Sequence, residues 1–501
     1  MLKQPADLRA LGLSIVLGLL AATGQAPLGA WWLALPAFTG ICWFVAKASG
    51  LRIAVWRGWL AGIGYFAGTL NWIVQPFLVE PERYGWMAPF ALVLMAAGLA
   101  LFWAAAAAVT ALGGRSRAGR ALGFALALTG AEALRGFLFT GFPWALPGHI
   151  WIDTPVAQFA SLAGANGLTL LTLLLAALPA AFALRGCAVA LAGIAAVMAF
   201  GLWRLDLPMP EPTGRMLRLV QPNADQSLKW SPEHAERLFQ LQLDLTAADP
   251  RPDLVIWPET ALPYLLQEGR GAAVAVAQAA NGVPVALGAQ RLLGDAAYNS
   301  LAVIGAGGQV DALYDKHHLV PFGEYMPLGE WLWQLFGIRA FAAQQGHGYA
   351  AGPGAAVLDL GVLGKALPLI CYEAVFSRDL RAAPERADWI LQITNDAWFG
   401  TLTGPFQHAA QARLRAVEMG LPLVRVGNTG VTQITDAVGR VQAELPFGTA
   451  GKLDAVLPGA LPPTPFARWG EGPFLLTFGC LLALLAVIRR KALLDAGRGG
   501  A

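Results

Sequence analysis

Apolar positions along this chain come in two textures. From residue 8 to 205 they run almost unbroken and nearly charge-free, and the same texture returns at 470–488. Between 211 and 460, short β-rich runs alternate with polar or helix-compatible segments, as in an ordinary soluble domain. The hydrocarbon core of a bilayer asks for roughly 20 apolar residues as a helix. At that length the first texture divides into spans near 8–23, 27–46, 55–78, 86–112, 120–139, 154–183 and 187–205, with an eighth near 471–488. The first span follows Lys3 and Arg9 and is short, as a signal peptide would be. No clear small-residue cleavage site follows it and another span begins at once, so a retained helix is expected.

In the second texture the strand candidates are Met216–Val220, Leu254–Trp257, Val285–Ala289, Ser300–Ile304, Leu367–Ile370, Trp389–Ile393, Leu423–Val426, Thr432–Thr435 and Val441–Glu444. Helices are expected at Pro232–Leu245, Arg270–Ala280 and Gln407–Met419, the first with Ser231 as N-cap and Pro232 at N1. Strand–helix alternation predicts a layered α/β domain. Hairpin-like pairs near 285–315 and 423–445 fit a four-layer αββα sandwich. Pro208-Met209-Pro210-Glu211-Pro212 reads as the inlet linker and 458–465 as the outlet. The expected architecture is thus an α-helical membrane bundle of about eight transmembrane helices plus an exported α/β domain. Its parts are 1–207, 215–455 and 466–501.

Composition and charge sharpen this picture. Of 501 residues, 56% are hydrophobic and only 13% charged, against about 25% charged in soluble domains, so much of the chain faces lipid. A formal charge of +3, dispersed along the chain, argues against nucleic acid as a partner. Basic residues mark alternate loops: Lys3 and Arg9, then Lys47, Arg52 and Arg57, then Arg115, Arg117 and Arg120, then Arg185, and finally Arg489, Arg490 and Lys491. By the positive-inside rule both termini are expected in the cytoplasm, with 211–460 delivered to the opposite side. A transporter is the natural rival for such a chain, since transporters place ionisable groups inside the bundle. Glu132 and Arg135 are the main intramembrane candidates, and an i,i+3 pair near a helix end is as easily structural.

Of the four cysteines, Cys42, Cys187 and Cys480 fall in apolar spans, leaving Cys371 alone in the exported domain. It ends the apolar run Leu367-Pro368-Leu369-Ile370, and a helix-compatible segment, Tyr372 to Leu380, follows. At such a turn, backbone N–H groups and the helix dipole favour the thiolate, the nucleophilic form. A buried structural cysteine is the plain alternative. Two more polar points follow strand-like runs. Val255-Ile256-Trp257-Pro258 leads to Glu259, and Leu313-Tyr314-Asp315 leads to Lys316, with Glu324 eight positions on. Singly, a solvated Glu or a surface Lys would explain each. Together they supply acyl transfer: Cys attacks a carbonyl, Glu moves the proton, and Lys stabilises the oxyanion.

In that order, Trp257-Pro258-Glu259, the Lys316 segment and Cys371-Tyr372-Glu373 resemble the Glu-Lys-Cys triad of the nitrilase, or carbon–nitrogen hydrolase, superfamily. That superfamily's fold is the αββα sandwich. A nitrilase-like domain between seven N-terminal spans and one C-terminal span is similar to one family in particular, the bacterial apolipoprotein N-acyltransferases, along essentially the full chain. The resemblance implies a ping-pong reaction at the outer face of the bacterial cytoplasmic (inner) membrane. Cys371 would take the sn-1 acyl chain of a phospholipid, typically phosphatidylethanolamine, as a thioester. The amine of an S-diacylglyceryl-cysteine in a diacylated apolipoprotein would then accept it. Glu259 matches the general base, Lys316 the oxyanion-stabilising lysine and Cys371 the nucleophile. Glu324, Tyr372 and Glu373 match further positions needed for activity, and Trp230 a tryptophan near the substrate entrance. No cofactor is implied, and a monomer is expected.

Three further expectations come from the residues themselves. Trp331-Leu332-Trp333-Gln334-Leu335-Phe336-Gly337-Ile338 reads as an amphipathic lid at the bilayer surface, placing Trp333 against acyl chains, with Gly337 and Gly346 as hinges; core packing is the alternative. Phe142-Pro143-Trp144, just past the fifth span, is placed at the lipid entrance, with an ordinary interfacial anchor as the alternative. His317 and His318 are adjacent, so on a strand their rings point apart and no metal site is expected. The rival functions are a membrane-tethered hydrolase of small amides or nitriles, using water as acceptor, and a transporter with a sensory domain. Eight spans are excessive for a tether.

Overall fold

The computed structural model describes residues 5–113, 116–229, 231–267, 270–327 and 348–498. The chain separates into two compact units. One comprises Met1–Leu207, Leu402–Ala410 and Pro463–Ala501; the other comprises Pro208–Thr401 and Gln411–Pro462.

The first unit is helical. Three of its helical stretches, Pro81–Gly113, Pro155–Asp206 and Gly472–Lys491, are long and apolar enough to cross a membrane, and Arg9–Ala22 and Trp31–Ala46 are shorter apolar helices. The span expected at 55–78 differs. Its α-helix, Leu51–Thr69, gives way to a 3-10 stretch, Asn71–Leu78, with Pro76 inside it. Proline lacks the N–H an α-helix needs and disfavours helical geometry in the residue before it. The spans expected at 154–183 and 187–205 lie within Ala160–Asp206, where two helices meet at a kink at Ala183 (φ 52°). The second half folds back on the first. A Cβ on Gly201 would lie 1.9 Å from Pro155 O, and one on Gly186 2.0 Å from Leu178 O.

Apolar burial does not hold helices together in hydrocarbon, so contact must come from close backbone approach and satisfied polar groups. Helices Pro5–Ala22 and Leu51–Thr69 meet through glycine: added Cβ atoms would lie 2.1 Å from Ala61 O at Gly18 and 2.2 Å from Ile15 O at Gly64. Glu132 and Arg135, buried on helix Arg117–Arg135, pair with each other. Glu132 also accepts the Trp103 indole N–H (2.7 Å), and Arg135 donates to the carbonyls of Phe142 and Trp144 (the latter at 3.0 Å). Both charges are thereby committed to structure.

The second unit contains two six-stranded mixed sheets. The strands are β1 (Met216–Gln221), β2 (Leu254–Ile256), β3 (Val285–Leu293), β4 (Ala296–Ile304), β5 (Val310–Asp315), β6 (Leu358–Asp359), β7 (Lys365–Ile370), β8 (Trp389–Thr394), β9 (Leu423–Gly427), β10 (Thr432–Thr435), β11 (Val441–Leu445) and β12 (Gly451–Val456). The orders are β12-β1-β2-β3-β4-β5 and β11-β10-β9-β8-β7-β6. In each, a parallel centre (β1-β2-β3; β7-β8-β9) is flanked by antiparallel partners. Side chains alternate across a strand. Leu217, Leu219, Leu254 and Ile256 therefore share one core with Ile370, Ile393 and Val426 of the facing sheet. Val220, Val255 and Trp257 take the other face, against Phe239 and Val276 of helices Pro232–Ala247 and Arg270–Ala279. Burial on both faces is why these strands read as continuous apolar runs.

All nine expected strands are present, and three were missed. The missed β5, β6 and β12 all lie at sheet edges, where one flank meets solvent and the sequence carries no apolar run. Ser231 precedes its helix as expected, but its hydroxyl contacts the His234 ring (3.3 Å) instead of capping a backbone N–H.

The glycine contact generates a prediction. Gly18→Leu or Gly64→Leu should lower the thermal midpoint of the full chain in detergent, at an overpacking cost of about 1–3 kcal/mol. Gly12→Leu, where nothing lies within 4 Å, should leave it unchanged.

Candidate active site

Four strand ends of the second unit carry its buried polar chemistry: β2 leads to Glu259, β5 to Lys316, β7 to Cys371, and β8 ends at Thr394. The carboxyl ends of parallel strands are where open α/β sheets gather ligands.

Glu259 follows a run, Leu254 to Trp257, with no exposure. The chain must then turn sharply, and Thr260 takes φ 48°. β3 passes so close behind this turn that a Cβ on Gly288 would lie 2.4 Å from Thr260 N and 2.5 Å from Pro258 O. Lys229, buried, donates to Thr260 Oγ1 (2.8 Å) and to the Glu259 carbonyl (3.2 Å). Burial pulls its ammonium down to about 8, against the opposing pull of the Glu259 charge. The Glu259 carboxylate accepts from Asn299 Nδ2 on one oxygen (2.7 Å) and from the Asn395 backbone N–H on the other (2.8 Å).

Lys316 is 1% exposed. Its Nζ lies 2.9 and 2.8 Å from the two Glu324 oxygens and 3.7 Å from Glu259 Oε1. Burial works to lower its pKa, but the Glu324 charge, then that of Glu259, outweighs this and holds the ammonium well above its usual value. Glu324 is itself fixed by the Val320 N–H (2.9 Å) and by Asn299 Nδ2 (3.1 Å). Glu324 is thus the tight partner of the lysine, and Glu259 the loose one.

Cys371 sits at the end of β7 with φ 52°, a left-handed conformation uncommon for a side chain with a Cβ. A 3-10 turn, Cys371–Val375, and a short helix, Ser377–Arg381, follow in place of one longer helix. The expectation that this turn favours the thiolate is corrected. Burial, reinforced by the nearby Glu259 charge and only partly offset by Lys316, pushes the thiol well above its usual value. The resting group is a protonated thiol, and a base must take its proton.

Glu373 ties the cysteine turn to the lysine segment. One carboxylate oxygen accepts the Ile370 N–H (2.7 Å); the other accepts the N–H groups of His317 (2.8 Å) and His318 (3.2 Å) and the Tyr314 hydroxyl (2.8 Å). The His317 ring also meets this carboxylate at 2.8 Å. Burial would raise the Glu373 pKa, but the bond from His317 and its charge overcome that and lower it. The imidazole is correspondingly raised against its own burial. Tyr372 is buried, edge-on to the rings of His318 and Phe376. The two histidines do not point apart as expected: the chain has left β5 there, and both rings approach Asp379 Oδ2, His318 Nδ1 at 2.7 Å and His317 Nε2 at 3.9 Å.

The structure therefore brings Glu259, Lys316 and Glu324 into direct contact, and links Tyr372, Glu373 and Cys371 to them through one turn. Trp230, Trp333, the Trp331–Ile338 segment, Gly337 and Gly346 lie outside the described residues. Trp144 belongs to the helical unit, where it is 1% exposed and its indole N–H donates to Gln407 (2.8 Å). Sequence reading missed Asn299, Lys229 and the Thr394-Asn395-Asp396 corner. An asparagine inside a strand is disfavoured, so Tyr298-Asn299-Ser300 carried a signal. The polar corner after Trp389–Ile393 repeats the signature that exposed the other three.

Fold and site define a carbon–nitrogen hydrolase domain: residues 216–461 match the carbon-nitrogen hydrolase family. Residues 17–178 match the apolipoprotein N-acyltransferase N-terminal domain. Relatives along the whole chain are the apolipoprotein N-acyltransferases of Sinorhizobium fredii (38% identity, 95% of both chains) and Bradyrhizobium diazoefficiens (38%; 96% of this chain, 95% of that one). That of Caulobacter vibrioides is 37% identical over 92% of both. The chain belongs to the apolipoprotein N-acyltransferase family. Among solved structures, XC1258 from Xanthomonas campestris, a CN-hydrolase superfamily protein, aligns with 48% of this chain and 90% of its own at 20% identity and TM-score 0.36.

Two predictions follow from this geometry. Gly288→Ala should displace the Glu259 turn, lowering activity and costing about 1–3 kcal/mol of stability in thermal unfolding. The His317–Glu373 pair should stabilise within a pH window. The raised imidazole contributes fully below its unfolded value of 6.5 and is lost as pH rises through its folded value; the lowered carboxyl contributes above 4.5 and is lost as pH falls through its folded value. The difference in thermal midpoint between wild type and His317→Gln should be greatest between these two pH values and shrink on either side.

Proposed function

We propose that the protein N-acylates apolipoproteins in a bacterial cytoplasmic membrane, in two half-reactions at Cys371. In the first, Glu259 takes the thiol proton and Cys371 Sγ attacks the sn-1 ester carbonyl of a phospholipid, phosphatidylethanolamine being the favoured donor. Lys316 Nζ faces the developing oxyanion. The carbon–oxygen ester bond breaks, the lysophospholipid alkoxide takes the proton back from Glu259, and a thioester remains. In the second, the α-amine of an S-diacylglyceryl-cysteine attacks the thioester, its proton passes through Glu259 to the departing sulfur, and an amide forms. Glu324 holds Lys316 in place, while Tyr372 and Glu373 shape the cysteine turn. Residues 215–455 are the catalytic domain on the outer face, carried by seven spans before it and one after, with both termini cytoplasmic. Trp144, Trp230 and Trp333 serve substrate binding, and the protein acts as a monomer without a cofactor.

The observation that carries this reading is the unequal sharing of Lys316. Glu324 holds it at 2.8 Å while Glu259 stands back at 3.7 Å, beside a thiol whose proton must be removed. One carboxylate anchors the cation; the other has freedom to move a proton. Membership of the N-acyltransferase family and the long apolar helices support a lipid donor over a small soluble amide.

The test is intact-mass measurement after incubation of the purified chain with phosphatidylethanolamine and no acceptor. Wild type should gain one fatty-acyl increment, labile to hydroxylamine and absent from Cys371→Ala. Glu259→Gln should slow acylation about 10²–10⁴-fold, and Lys316→Met about 10²–10³-fold. An unmodified wild type that releases no lysophospholipid would overturn the reading and favour hydrolysis of small amides.

A further inference from the structure

Between Lys316 and Glu324 the chain carries an aromatic ring that the acyl-transfer scheme does not use. Phe322 has φ 64°, in the left-handed region that a bulky side chain rarely occupies. The loop's own hydrogen bonds fix that backbone. Phe322 N–H donates to Tyr325 O (2.7 Å), Glu324 N–H to Val320 O (2.8 Å) and Tyr349 N–H to Glu324 O (2.7 Å). With the Val320 N–H on the Glu324 carboxylate (2.9 Å), the same bonds hold Glu324 against Lys316. The loop thus dictates the strained conformation, and glycine is the residue that fits it without strain. A glycine stands next in the chain, yet Gly323 stays out of the left-handed region and Phe322 enters it. Nor does packing account for the ring, which is 57% exposed. Neither backbone nor burial favours phenylalanine here. Strain kept without gain in stability marks ligand clamps and other functional positions.

The surroundings indicate what the ring touches. Val320, Pro321, Tyr325, Met326 and Pro327 of the same loop are each partly exposed. Its one charge, Glu324, is turned inward, 5% exposed and bonded to Lys316. Loops that meet water draw mostly on Gly, Pro, Asn, Asp and Ser; this one shows apolar and aromatic side chains beside the lysine. In the proposed reaction the donor sets its ester carbonyl at Lys316 and Cys371, and its chain leaves along a wall next to them. An apolar wall gains from every methylene it takes out of water. A small amide has no chain to lay there.

We infer that Phe322 is a substrate-contact residue: its ring, on the apolar loop between Lys316 and Glu324, lies against the acyl chain of the phospholipid donor and favours long chains over short ones. This rests on the donor being a lipid. It divides the work of one loop between two side chains two positions apart. Glu324 faces inward and holds the cation for the carbonyl; Phe322 faces outward and holds the chain attached to it.

The experiment compares short-chain and long-chain phosphatidylethanolamines as donors to the full chain in detergent, following Cys371 acylation by intact mass. Phe322→Ala should raise KM for the long-chain donor about tenfold, the worth of part of a buried aromatic ring, and leave kcat and the short-chain KM unchanged. Phe322→Leu should restore most of the long-chain affinity. Phe322→Gly should raise the long-chain KM as alanine does, while its thermal midpoint holds or rises because the backbone strain is gone. A ring needed only for folding would lower that midpoint instead, and such a fall would overturn the inference. So would a long-chain KM unmoved in both the alanine and glycine variants, or one raised equally for both chain lengths, as a general membrane contact would give. A second arm measures binding of a long-chain ether-linked phosphatidylethanolamine, which has no ester to cleave, by native mass spectrometry. Wild type should retain it and Phe322→Ala should lose it, whether or not a thioester ever forms. Failure of acyl transfer therefore shows as absent thioester with this difference intact, and failure of the present inference as normal thioester with no difference.

Discussion

A lysine ammonium held out of water is the constraint on which the second unit's site depends. Taking such a charge from water costs several kcal/mol even after relaxation, so Lys316 exists only with carboxylates against it. Two carboxylates around one cation would in turn repel each other, and each needs donors of its own. The chain supplies them from one strand and two loops: Asn299 on β4 bridges Glu259 and Glu324, the Asn395 N–H just after β8 holds Glu259, and the Val320 N–H beyond β5 holds Glu324. Once these are in place the lysine cannot shift without stranding a buried charge. That rigidity is what electrostatic stabilisation of an oxyanion requires, since preorganised charge costs no rearrangement at the moment of reaction.

The cysteine is brought to this cluster by a third buried carboxylate. Glu373 spends its oxygens on backbone N–H groups from both sides, so the turn after β7 and the segment after β5 are fixed to one another. The left-handed backbone at Cys371 is the local cost of aiming the sulfur out of the strand end. Since burial and the Glu259 charge keep the thiol protonated, reactivity is not stored in the cysteine itself. It arises when base, cation and carbonyl meet. A cysteine that is quiet at rest is consistent with the two-step acyl transfer proposed above.

The helical unit solves a different problem. Without an apolar driving force between helices, its contacts are made by glycines that let backbones touch and by polar side chains that find partners within the unit. The Glu132–Arg135 pair illustrates this: its remaining valences go to Trp103 and to the carbonyls after the helix end. A charge pair that would suggest transport on composition alone is here a splice between a helix and the loop that follows it.

Much of this was legible in the chain itself. The hydrophobic texture separated helical from α/β regions, and the central strands were found because burial on both faces demands unbroken apolar runs. Glu259 and Cys371 stood out because each polar group ends such a run, and Lys316 because it follows the short strand-like stretch Leu313-Tyr314-Asp315. Those are one-dimensional signals. The edge strands β6 and β12 lacked them and β5 carried only a short one, and Lys229 lacked them too, because its partners Glu259 and Thr260 lie some 30 positions away on another element. The protonation of the cysteine was decided only in three dimensions. Sequence placed it where a helix dipole would favour the thiolate, but the depth of burial and the approach of Glu259 from another strand outweighed that dipole. Local sequence determines which groups end up at the strand ends; the charge state each one holds there is set by neighbours that only the folded sheets bring near.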